Sequence, residues 1–80
     1  MYHAPNTESI VRNAAMKALC TTANGYGFYV HCQYITPDEG RDALYRLKAE
    51  AVNVGGSARD VHNAYANGLA GRDEYGRVTG

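Results

Sequence analysis

The side chains best suited to chemistry are three histidines, His3, His31 and His62, and two cysteines, Cys20 and Cys32. They invite a metal site or a thiol nucleophile, because imidazole and thiolate are the ligands zinc prefers and a neighbouring histidine can activate sulfur. The spacing argues against both. His31 and Cys32 are adjacent, so on an extended segment they face opposite sides, and no CxxC, HxxxH or HxH pair is present to start a tetrahedral site. A pair made of Cys32 with His62 or His3 would depend on tertiary placement alone. The expectation is a chain without catalytic residues, metal or cofactor. Two cysteines are also too few for a disulfide framework, and both read as small apolar side chains.

Gly55-Gly56-Ser57 leads into a helix, where free N–H groups can cradle a phosphate. The P-loop pattern is absent, no lysine follows, and Asp60 in the first turn would repel an anion, so this is a capping turn. Across the same residues, Leu47 to Ala66 resembles a helix-turn-helix. Ala51 lets the second helix approach, Gly55 takes the turn, Ser57 caps the second helix, and Val61 and Ala64 point inward. The resemblance implies that Arg59 and Asn63 read base edges, with His62 against a phosphate and Ser57 at the helix start. Glu50, Gly56 and Asp60 depart from that pattern, and no Lys or Arg cluster supplies affinity for the phosphate backbone.

A binding surface is the other candidate. Arg41, Tyr45 and Lys48 lie along one flank of a helix, Tyr26 and Tyr29, with Tyr34, belong to the segment before it, and Tyr75 with Arg77 lies in the tail. Tyrosine and arginine are enriched in the hot spots of protein interfaces. Seven tyrosines with no tryptophan is the most unusual feature of the composition, and it favours this reading.

The elements that position these residues start from Thr36–Asn53. Thr36 is a good N-cap, Pro37 suits the first helical position, and Glu39 completes a capping box. Gly40, Leu44, Leu47, Ala51 and Val54 share one face, Asp42, Arg46 and Glu50 another, and Gly55-Gly56 ends the helix. Upstream, Asn6 or Thr7 starts a helix to about Thr22, with Ile10, Val11, Ala14, Ala15, Ala18 and Leu19 as an apolar band and Asn24-Gly25 as its stop. From Gly27 to Ile35 the pattern alternates, and β-favouring residues predict a strand. That strand needs a neighbour, for which Glu74–Thr79 is the choice. Ser57 caps a last helix, Ala58 to about Leu69, with Val61, Ala64, Tyr65 and Gly68 inward.

The expected architecture is α+β: three helices packed on a small two-stranded antiparallel sheet, in the order α-β-α-α-β. Residues 1–80 form a single domain, with 1–6 a loose arm and 72–80 a tail or edge strand. The chain is a monomer, or a homodimer through the exposed edge of the 28–35 strand.

Eighty residues bury only roughly 60–65% of the surface of the unfolded chain, so the core is small. Eight basic and eight acidic residues give zero formal charge, and no long-range field steers the chain toward nucleic acid or anionic lipid. With neither a leader pattern nor an apolar run long enough to span a bilayer, the expected location is cytoplasmic.

In size and general texture the chain resembles the small proteins with which phages and mobile elements block host defence, the anti-CRISPR inhibitors among them. That resemblance rests on no diagnostic motif and transfers no site. It implies a non-enzymatic inhibitor that occupies a surface of a large bacterial effector complex. Its balanced charge departs from the inhibitors that mimic DNA with acid, so contact through Tyr and Arg would do the blocking. The alternative is a small helix-turn-helix regulator that binds DNA through helix 58–69.

Overall fold

A computed structural model describes residues 7–78 as three helices and a folded tail: α1 (Thr7–His31), α2 (Pro37–Asn53) and α3 (Ala58–Leu69). The expected arm over residues 1–6 lies outside the described residues. The α+β expectation is overturned. Among the described residues there is no sheet, and the β pairing that is present is an isolated antiparallel bridge between Arg72 and Val78.

The correction centres on Gly27–Ile35. Instead of a strand, this segment carries α1 through to His31, so the first helix does not stop at Asn24-Gly25 but runs for 25 residues. Gly27 is a packing residue, not a breaker: a Cβ there would lie 2.2 Å from the Tyr65 carbonyl oxygen of α3. Its missing side chain is what lets two backbones touch. With Ala23, Gly27 and Val30 directed inward at steps of four and three, helical packing outweighs the β preference of Phe28, Tyr29 and Val30. Since residues 28–35 form no strand, they offer no strand edge for a homodimer, and Glu74–Thr79 has no strand to pair with. The tail folds on itself instead.

All three helices end the same way. Gln33, Gly55 and Gly71 each adopt positive φ, at 63°, 75° and 75°. The N–H of Gln33 donates to Val30 O at 3.0 Å and that of Tyr34 to Tyr29 O at 2.8 Å. Gly55 and Gly56 donate likewise to Val52 and Ala51, and Gly71 and Arg72 to Gly68 and Asn67. This is the Schellman arrangement, which satisfies carbonyls the helix itself leaves open. At the start of α2, Thr36 and Glu39 exchange both capping-box bonds at 3.1 Å, so that helix has a defined beginning as well as a defined end.

The core is Ala23, Leu44, Ala51, Val61, Ala64 and Tyr65, edged by Met16, Leu19, Cys20, Tyr26 and Leu47. The inward residues expected for α3 are all buried, as are Gly40, Leu44 and Ala51 of α2. The band expected for α1 is buried only in part. Leu19 edges the core and Ala15 is half-buried, but Ile10, Val11, Ala14 and Ala18 are exposed, because α1 turns toward its neighbours the face that carries Met16, Cys20 and Ala23. The Cα atoms span 53 × 26 × 15 Å, an elongated slab.

Candidate functional site

Steps of three and four beginning at Arg41 place Arg41, Leu44, Tyr45 and Lys48 on one flank of α2, as the sequence implies. The flank forms one wall of an open groove of about 370 Å3, whose opposite wall is His62, Tyr65 and Leu69 of α3, closed at one end by Val30 and Pro37. Gly40 lets these walls close up. A Cβ there would fall 2.5 Å from Val30 Cγ2 and 2.6 Å from the Tyr65 hydroxyl oxygen, so a glycine is what admits the Val30 and Tyr65 side chains against α2.

The groove is basic. Arg41, Lys48 and His62 line it without any lining carboxylate. Lys48 Nζ sits 5.8 Å from the centre of the Tyr45 ring, within range of a cation–π contact. Arg41 forms an ion pair with Asp38 one turn earlier, but both side chains are well exposed, so the pair adds little stability and leaves the guanidinium open to a partner. Burial pushes the Tyr65 hydroxyl above the ordinary tyrosine range, and the Arg41 charge opposes that only in part. Tyr65 therefore presents a neutral hydroxyl at physiological pH.

The other residues expected to bind protein fall into separate clusters. Tyr26 is half-buried against the core and meets Tyr29 edge-on at 6.5 Å, while Tyr29 lies 6.1 Å from Tyr34 beyond the helix end. Those rings anchor the turn after α1. Tyr75 and Arg77 stack at 5.3 Å in the tail. Tyr75 borders a different groove, about 510 Å3, with Met16, Lys17, Cys20, Asp60, Asn63 and Glu74.

On α3, Ser57 Oγ accepts the Asp60 N–H at 3.3 Å and caps the helix. Arg59 and Asn63 are exposed and one turn apart. His62 opens onto the basic groove between α2 and α3, whereas Asn63 borders the groove beside Cys20 and Tyr75. What the sequence analysis missed is the meeting of His62 and Tyr65 with the Arg41 flank. The available signal was Val61: with it directed inward, His62 and Tyr65 fall on the side of α3 that turns toward α2.

Cys20 is half-buried, and its thiol is raised above the ordinary 9.0 by burial, then by the charges of Asp60 and Glu74. A thiol kept protonated is a poor nucleophile. Among the described residues, no group of three or more His, Cys, Asp and Glu side chains is placed to hold a metal ion. No helix among them is long and apolar enough to cross a membrane. Compared with protein-family models, with curated proteins and with solved structures, the chain matches none.

Proposed function

We propose that this chain is a non-enzymatic protein-binding module that grips an acidic segment of its partner in the groove between α2 and α3. The observation that carries the reading is that Arg41, Tyr45 and Lys48 open onto the same groove as His62 and Tyr65. Cations beside one exposed ring, Tyr45, and one buried ring, Tyr65, with no lining carboxylate, complement an acidic strand or helix and resist a basic one. The specific form we propose is an inhibitor that occupies a surface of a large defence complex in the cytoplasm of a bacterial host. Zero net charge is compatible with this, since the attraction is local to the groove.

The test is capture from bacterial lysate. The chain should retain one stoichiometric complex, lose it on combined Arg41→Ala and Tyr45→Ala substitution, and keep it on Arg59→Ala. Capture that survives the double substitution removes the groove from the mechanism.

A second reading is supported by the joint itself. Gly55 turns the chain at positive φ, Ser57 caps α3, and Arg59 and Asn63 are presented outward, which suits a small DNA-binding regulator. Binding to duplex DNA that falls steeply with salt, and loses sequence preference on Arg59→Ala with Asn63→Ala, would favour that reading over the first.

A further inference from the structure

α1 is apolar on both sides. The side opposite Ala23 carries Ile10, Val11, Ala14, Ala18, Thr21, Gly25, Phe28 and Tyr29, and the nearest charged residue of the helix is Lys17 at its margin. Ile10 and Val11 are 54% and 61% exposed, and Tyr29 is 49% exposed. An exposed apolar stripe of this length marks a contact surface, and only its margins touch the rest of the chain, where Val11 shares a groove with Asn53 and Val54 and Thr21 is hydrogen-bonded to Glu74.

Gly25 sharpens the point. Gly27, Gly40, Gly56 and Gly68 each meet a neighbour that a Cβ would strike, whereas a Cβ at Gly25 would meet nothing within 4 Å. Glycine inside a helix costs about 1 kcal/mol relative to alanine, and the isolated chain gives no return for it. Close approach by another backbone would.

The order of side-chain sizes identifies that other backbone. Large residues stand at both ends of the face and small ones between, symmetric about the middle of the helix. In an antiparallel two-fold pair, Ile10 meets Tyr29, Val11 meets Phe28, Ala14 meets Gly25 and Ala18 meets Thr21. Each large residue then packs against a large one and each small against a small, which is the self-complementarity a two-fold interface requires.

Charge agrees with the same pairing. Thr21 Oγ1 donates to the Glu74 carboxylate at 2.6 Å, which holds that acid at the margin where Lys17 also stands. The two-fold brings Lys17 of one copy beside Glu74 of the other.

We propose that the outer face of α1 is a dimer interface, on which a second copy of this chain packs antiparallel about a two-fold axis near the middle of the helix. The interface lies on α1, apart from the α2–α3 groove, and does not depend on what that groove binds.

Sedimentation equilibrium of the full chain tests it. The expected result is a species of twice 8.7 kDa at the upper end of a roughly hundredfold concentration range, with a Tm that rises with concentration. Ala18→Glu, at a site exposed in the single chain, and Gly25→Leu should each weaken the dimer at least tenfold while helical circular dichroism is retained. A wild-type monomer throughout that range overturns the proposal. So does a dimer insensitive to both substitutions, which would place the contact elsewhere, or a monomer that binds lipid vesicles and loses them on Ala18→Glu, which would assign the face to a membrane surface.

Discussion

Gly68 of α3 approaches the Asn24 carbonyl of α1 so closely that a methyl group on Gly68 would lie 2.2 Å from that oxygen. Asn24 secures the same crossing from its side chain, where Nδ2 donates to Ala64 O at 3.1 Å and to Arg72 O at 2.9 Å. Gly27 makes the reciprocal approach to Tyr65. Both clashes would be with backbone, which cannot rotate away, so the helices would have to separate. Gly68→Ala and Gly27→Ala should each destabilise by about 1–3 kcal/mol or more, the range for overpacking a tight contact. Denaturant unfolding measures this, and a loss below about 0.5 kcal/mol would show that α1 and α3 are not held this closely.

Gln33 occupies a left-handed position, φ 63°, that favours glycine. Gln33→Gly should relieve strain of roughly 1–2 kcal/mol and return part of it through the freer unfolded chain. A net gain of about 0.5–1 kcal/mol in thermal or denaturant unfolding is expected, with the ring contact of Tyr29 and Tyr34 unchanged.

Asp73 organises the tail. Partial burial of its carboxyl works to raise its pKa, but the N–H groups of Arg77 and Tyr75, the Arg77 side chain and the Arg77 charge together hold it below the ordinary 3.8. For a depressed carboxylate the stabilisation is fully present above about 3.8 and is lost as pH falls through the lower folded value. Amide protection across residues 72–78, taken relative to the intrinsic exchange rate at each pH, should therefore fall in acid below that point, and at neutral pH in Asp73→Ala, while α2 stays protected. Equal protection of the tail in Asp73→Ala would remove this carboxylate as its organiser.

Tyr65 should titrate late. Its pKa is raised above 10.0 by burial despite the Arg41 charge, so the stabilisation from keeping it neutral is complete below about 10 and fades as pH rises through the folded value. Phenolate absorbance should show a component above the ordinary tyrosine range that vanishes in Tyr65→Phe. Arg41→Ala should move that component higher, because it removes the opposing positive charge.

The ends of α2 and α3 were legible because capping is local: Thr36, Glu39, Ser57 and Gly55 act on backbone groups within a few residues of themselves. The inward stripe of α3 was legible for the same reason, since Val61, Ala64, Tyr65 and Gly68 keep one unambiguous period. α1 was not. Its apolar residues run round the helix, so periodicity selects no face, and Phe28 to Ile35 satisfies a two-residue alternation as well as a helical one. Gly25 and Gly27 look alike in sequence, and only the position of α3 separates a glycine pressed on a backbone from one facing open space.

The sequence by itself determined where α2 and α3 begin and end, the inward stripe of α3 and most of that of α2, though it missed buried Ala43 and counted exposed Val54, and that Arg41, Tyr45 and Lys48 form one flank. It could do so because each of those features depends on neighbours one or two turns away. Only the tertiary structure decided that α1 continues to His31, that the tail closes on itself, and that His62 and Tyr65 complete the groove. The physical reason is that a helix through Gly25 and Gly27 is locally unfavourable, and the contact that outweighs that cost lies about 40 residues away, where Tyr65 and Gly68 meet α1 backbone to backbone.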